Sequence, residues 1–182
     1  TTTYIPLSIH NVAADNAGTG RMSEQVIFGF LCGLNALYAD QDIQFFIHNQ
    51  IYNRVSNFIH TNASTSTARN QMLSYRVAGT LNLIVGASNQ NQLASWYDPS
   101  GDFVFLLHAQ LSSEAKTEAH EIGHFFTLNH TFYGWENIDA TIYDGQNVPS
   151  TVGSGWGAQS TENAPRTGGQ ANCQNAADGF CD

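Results

Sequence analysis

Apolar and polar positions alternate near the start of the chain, with Ile5, Leu7 and Ile9 on one side of Ile5–Val12, and this predicts a half-buried strand. Residues 13–22, rich in Gly, Asn and Asp, read as a loop. The period then changes. After Ser23, a good N-cap followed by Glu24, apolar residues recur at Ile27, Phe30, Leu31, Leu34, Leu37 and Tyr38, the spacing of an amphipathic helix. Ile43–Ile47 predicts a second strand, and residues 61–70, rich in Ser, Thr and Asn, a loop entering a short helix near 68–75. Leu81–Val85 is a continuous apolar run between Gly79 and Gly86, as expected of a strand covered on both faces, and Phe103–Leu107 is another. Between them Leu93–Tyr97 predicts a strand ended by the turn signal Asp98-Pro99-Ser100-Gly101. Ser112 or Ser113 is placed to cap a helix running to about Phe126. Strands alternating with two long helices make residues 1–130 an α/β unit. Residues 131–182 carry Gly, Asn, Thr and Ser with little periodicity and read as loop-dominated.

Composition narrows the function. The 182 residues suffice for one domain with a real core, and no repeat or linker divides them. The net charge is -9, with Lys116 the only lysine, so the chain lacks the basic footprint that a nucleic-acid partner or an anionic membrane surface requires. No apolar run approaches the roughly 18–20 residues of a membrane span. The opening Thr1–Pro6 has neither the basic nor the apolar region of a signal peptide. It reads as the start of a mature chain that has lost its targeting segment, so a secreted, extracellular monomer is expected. Cys32, in an apolar helical stretch, reads as a buried free thiol. Cys173 and Cys181 either close a small disulfide loop or each pair with a cysteine outside this sequence.

The chemistry concentrates in one stretch, Thr117-Glu118-Ala119-His120-Glu121-Ile122-Gly123-His124-Phe125-Phe126-Thr127-Leu128-Asn129-His130. Four residues apart on a helix, His120 and His124 stand one turn apart on the same face, where two imidazoles can reach one metal ion. Glu121 lies beside them as a candidate base. Taking His120 as zero, His124 falls at about 40°, while Ala115, Ala119, Ile122 and Phe126 fall at about 200–260°, so the apolar stripe packs inward and the histidines face a cleft. An isolated histidine is ordinarily a satisfied structural residue. In a chain of this composition, however, His-Glu-x-x-His arises by chance in roughly 1% of sequences, and with a further histidine six residues on in roughly 0.03%. His130 would lie about 9 Å beyond His124 on a continued helix, so it can be a third ligand only if the helix breaks near 126–129. Thr127 is β-branched and rarely accepts a positive φ, so the expectation is that Asn129 or a neighbour takes the bend.

His120–Phe132, ending His130-Thr131-Phe132, resembles the pappalysin family of metzincins, whose motif runs His-Glu-x-x-His-x-x-Gly-x-x-His-Thr-Phe. Thr127 stands where that family has glycine. The strand and helix order of residues 5–130 is similar to a metzincin upper subdomain. The resemblance therefore implies one catalytic domain over 1–182: a twisted, mixed, mostly parallel sheet, the zinc helix at the cleft, and a partial, loop-rich lower subdomain over 131–182. It also implies that Leu93–Tyr97 is an antiparallel edge strand against which a substrate backbone pairs. A methionine turn beneath the metal is expected of the family. Met22 and Met72 both precede the zinc helix, so the native protein is expected to continue past Asp182 to supply one. Family members often bind calcium, for which Glu136, Asn137, Asp139, Asp144 and Asp178 are candidate ligands, although such loops are usually solvated turns.

Three neutral histidines leave the fourth position of one catalytic zinc ion open to water, and Glu121 is placed to take that water's proton as it attacks a peptide carbonyl. The function so implied is a zinc endopeptidase acting on a protein or peptide substrate, with His120, His124 and His130 as metal ligands and Glu121 as general base. Two alternatives stand beside it: a non-catalytic zinc-stabilised binding or adhesion domain, which would need no base at Glu121, and a zinc hydrolase of a non-peptide bond.

Overall fold

The structure, a computed structural model, describes residues 1–87 and 94–128, together with the backbone of 151–154 and 157–160. It contains two compact units, Thr1–Phe126 and Thr127–Asp182.

The first unit is a mixed α/β layer built on one six-stranded sheet. Its elements run β1 (Thr3–Ala13), α1 (Glu24–Leu37), β2 (Ile43–Ile47), β3 (Tyr52–Val55), α2 (Asn57–Asn62), α3 (Ser66–Tyr75), β4 (Leu81–Gly86), β5 (Trp96–Asp98), β6 (Phe103–Leu107) and α4 (Lys116–Phe125). The strand order is β2-β1-β4-β6-β5, and β3 pairs with the second half of β1 on the side where β2 pairs with the first. Every pairing is parallel except β5 with β6, which is antiparallel. The expected mixed, mostly parallel sheet with an antiparallel edge is therefore present.

Helices cover both faces, which is why β4 and β6 are buried at every position. α1 and α4 close one core around Leu7, Ile9, Phe30, Leu83, Leu106 and Ile122. α2 and α3 close the other around Val12, Ile59, Met72, Ile84 and Phe105. β1 departs from expectation because it is interior rather than half-buried: Ser8 and His10 on its polar side, and Asn11 on the side of Leu7 and Ile9, are 0–1% exposed. Each finds a partner, as buried polar groups must. Thr80 Oγ1 donates to Ser8 Oγ at 2.9 Å, and Asn11 exchanges two hydrogen bonds with the Met22 backbone. His10 faces Asn82 Oδ1 and accepts from Arg54 Nε, each at 3.4 Å, between the rings of Tyr52 and Tyr75.

Ser23 caps α1 as its sequence indicates, accepting from the Val26 N–H. Cys32, expected to be buried, is exposed. It lies about 200° round the helix from Phe30, so it shares the outer face with the exposed Phe28 rather than the stripe of Ile27, Phe30 and Leu34. β3 and α2 form where no element was expected, with Ser56 capping α2 by accepting from the Ile59 N–H. The edge strand begins at Trp96, not Leu93, which lies outside the described residues.

In the second unit, Thr151–Ser154 and Gly157–Ser160 (β7 and β8) pair antiparallel, a ladder that the weak periodicity of 131–182 did not predict. The metal-ligand candidate His130, the bend candidate Asn129, the calcium candidates Glu136, Asn137, Asp139, Asp144 and Asp178, and the cysteines Cys173 and Cys181 lie outside the described residues.

Candidate metal centre

α4 begins at Lys116, later than a Ser112 or Ser113 cap would place it. Its N-cap is Ala115, in the left-handed region at φ 52° with no side-chain cap, and the Ala119 N–H donates to its carbonyl at 2.8 Å. The reason is tertiary. Residues 113–115 press against α1 at Gly33, where a Cβ would meet Ser113 O at 1.9 Å and Ala115 Cβ at 3.4 Å. Ala115 is wholly buried in the core beneath the helix, so packing against α1 outweighs a serine cap.

The face of α4 divides as its sequence predicts. Ile122 and Gly123 are buried, His120 is exposed, and Glu121 and His124 are half-buried. The two imidazoles have ring centroids 4.7 Å apart and planes 79° from parallel. Rings one helical turn apart and this close can direct one nitrogen each toward a common ion. The tip of α1 braces the helix from behind: the Tyr38 hydroxyl donates to the Ala119 carbonyl at 3.0 Å, and its ring contacts Phe45 and Phe126.

Glu121 is not free to swing. Its Oε2 accepts a hydrogen bond from the backbone N–H of Tyr97 in β5 at 3.0 Å. The Tyr97 ring stands edge-on to Phe125, 6.2 Å away, so β5 grips α4 at two points one turn apart. Burial pushes the Glu121 carboxyl above the ordinary carboxylate range, while His124 and the Tyr97 N–H pull the other way. A backbone donor on an edge strand leaves no mark in a sequence, and the contact between Tyr97 and Glu121 was not foreseen.

Glu118 is a second surprise. It is 1% exposed on the inner side of α4, and neither carboxylate oxygen has a hydrogen-bond partner among the described residues. Burial pushes its pKa up; the backbone N–H groups of Glu118 itself and Ser112 oppose the shift without reaching bonding geometry.

At the end of the helix the Phe126 N–H bonds to the Ile122 carbonyl, and Thr127 takes φ +69°. The bend expected at Asn129 or a neighbour begins at Thr127, the position where the pappalysin motif has glycine. The β-branched side chain was expected to resist this conformation; it is exposed, and the cost falls within its own backbone.

A metal fits this donor set only in part. Two neutral imidazoles at i and i+4 are a well-known half of a zinc site. Among the described residues no three His, Cys, Asp or Glu side chains gather, so a third protein ligand to this pair has to come from outside them, where His130 stands.

Fold and helix together define a mixed α/β protein with a His-Glu-x-x-His helix against its sheet. No protein-family model matches this chain. No curated protein matches it either. Among solved structures it is similar to one described as "Structure of a chaperone-substrate complex", at 11% identity and a TM-score of 0.47. That match covers 98% of this chain and 32% of the other, so the chain spans about a third of that protein's length. A likeness this distant carries no functional weight. Among the described residues no helix is long and apolar enough to cross a membrane.

Proposed function

We propose that the protein is a zinc-dependent endopeptidase of the metzincin type, with Glu121 as its general base. One observation carries the reading: His120 and His124 lie 4.7 Å apart, centroid to centroid, on the outer side of α4, and Glu121 between them is held by a backbone N–H from the neighbouring edge strand. A structural zinc site needs ligands but no adjacent base, and it gives no reason to orient a half-buried carboxylate.

The ligands would be His120, His124 and His130, and zinc when bound would supply a Lewis acid that polarises the scissile carbonyl and makes an attacking water more acidic. The protein's own part is proton handling. Glu121 takes the proton of the attacking water and passes it to the leaving amine, so no covalent nucleophile is needed. β5 gives the site a strand edge beside the base, the element against which an extended polypeptide can lie. The bend at Thr127 supports His130 as third ligand, because a helix that stops there releases the chain to turn back. Secretion, a monomeric state and calcium binding belong to the same proposal.

The test is elemental analysis of protein purified without chelator, with casein hydrolysis before and after chelation. About one zinc per chain is expected, with hydrolysis that stops on metal removal and returns with zinc. Glu121→Ala should keep fold and zinc while losing activity by several orders of magnitude. Zinc without hydrolysis of casein or any peptide would favour the binding-domain alternative. No zinc at all would end both.

A further inference from the structure

β5 is only three residues long and, among the described residues, pairs with β6 alone, so its position depends on what ties its ends. At its N-terminal end Gln110 Oε1 accepts from the Ser95 N–H at 2.6 Å, and Ser95 Oγ accepts from the Leu107 N–H at 3.0 Å. At its C-terminal end Asp98 is 9% exposed and receives a fork from Arg69 of α3: Nε to Oδ2 at 2.5 Å and Nη2 to Oδ1 at 3.1 Å. Asp98 Oδ1 also accepts from the Gly101 N–H at 2.7 Å and from Ser100 Oγ at 2.9 Å. Arg69 itself reaches Ser100 Oγ at 2.7 Å.

Successive residues of a strand face opposite sides of the sheet. Asp98 and Trp96 face α3, where Trp96 stacks on Phe105 with centroids 4.2 Å apart, while Tyr97 faces α4 and Phe125. In an antiparallel pair a residue sends its N–H and C=O to the same side. The Tyr97 N–H goes to Glu121, so the Tyr97–Val104 rung is an open one and Glu121 is the acceptor for that N–H. A continuous chain of contacts thus runs from α3, on the far side of the sheet, through Asp98 and one residue of β5 to the carboxylate of the base.

The geometry points to Arg69 as a positioning residue for Glu121. Its guanidinium fixes Asp98, Asp98 fixes the C-terminal end of the edge strand, and the strand's N–H sets the rotamer of Glu121 toward the face carrying His120 and His124. A bidentate guanidinium–carboxylate pair suits this role because it restrains orientation as well as distance, and a lysine cannot reproduce the fork. The inference rests on the reading of Glu121 as the base, yet its geometric half stands without any activity.

The test uses the full chain, zinc-loaded, with Arg69→Met and Arg69→Lys beside wild type. The first readout is hydrogen exchange at the Tyr97 amide. It should be protected in wild type, lose protection in Glu121→Ala, and exchange at least about tenfold faster in Arg69→Met. The second is steady-state kinetics. In Arg69→Met kcat should fall about 10–100-fold with KM within about twofold and zinc content unchanged, and Arg69→Lys should fall between. A wild-type Tyr97 amide and wild-type kcat in folded Arg69→Met would overturn the inference, as would a loss confined to KM. If Arg69→Met does not fold, Asp98→Asn removes the charge but keeps an acceptor for Gly101, and the same two readouts decide. A wild-type protein with no hydrolytic activity would remove the base reading; the Tyr97 exchange data would then still accept or reject the coupling.

Discussion

A Cβ added to Gly33 of α1 would come within 1.9 Å of the Ser113 carbonyl oxygen and 2.7 Å of its carbonyl carbon, on the loop that leads into α4. Both groups nearest the missing side chain are backbone, so neither can rotate away. Gly33→Ala should therefore push residues 113–115 outward and displace the start of the histidine helix. The expected cost is about 1–3 kcal/mol in urea unfolding, the range of overpacking in a tight core. Zinc affinity should weaken in the same variant because His120 lies only five residues downstream of Ala115. A stability change within about 0.5 kcal/mol would show that α1 and the loop are further apart than this.

Thr127 sits at φ +69°, a conformation that costs an ordinary L-residue roughly 1–2 kcal/mol and a glycine almost nothing. Thr127→Gly should raise stability by about 1 kcal/mol, after allowing for the greater freedom of glycine in the unfolded chain. Zinc content should stay the same or rise, since the helix exit is kept. Calorimetry with elemental analysis would check both; a clear loss of stability would mean that the bend is not at 127.

Glu118 offers a pH-dependent case. Its folded pKa is raised by burial, so the folded state holds that proton more tightly than the unfolded chain. Stability from this group is full below the unfolded value and is lost as pH rises through the folded one. Glu118→Gln keeps the shape and removes the ionisation. It should raise Tm by a few degrees at pH 7.5, about 1 kcal/mol, and by clearly less at pH 4. An equal gain at both pH values would locate the benefit somewhere other than the charge.

His10 behaves in the opposite sense. Burial, with Arg54 adding to it and the Asn82 contact opposing it, lowers its pKa to about 4, and burial beside His60 brings His108 to about 4 as well. The unfolded chain binds protons at these histidines first, so stability is present above about pH 6.5 and declines as pH falls toward 4. Urea midpoints measured from pH 7 to pH 4 should fall in wild type. The slope should be shallower in His10→Gln, whose amide can still meet Arg54 and Asn82. An unchanged slope in that variant would assign the acid sensitivity to other groups.

Much of the first unit could be read from one dimension. The runs at Leu81–Gly86 and Phe103–Leu107 are apolar without a break, and such runs have to be strands hidden between two layers. Ser23 followed by an i, i+3, i+4 apolar stripe sets both the start and the buried face of α1. The spacing of His120, Glu121 and His124 alone dictates a shared face, because the helical repeat is a property of the backbone. Other features were settled by neighbours distant in sequence. Ser112 and Ser113 are both good caps, yet α4 starts at Lys116 because Gly33, some eighty residues earlier, draws the loop against α1. The polar side of β1 reads as solvent-facing, but α2 and α3 bury it, and Ser8 and His10 are tolerated there because Thr80, Asn82 and Arg54 satisfy them. Nor does any local pattern connect Tyr97 to Glu121 or Arg69 to Asp98. Sequence periodicity records how a segment divides itself between core and solvent, and it is blind to which buried donor meets which acceptor. That pairing depends on how the sheet stacks its strands and helices, and here it decides how the carboxylate of Glu121 is held.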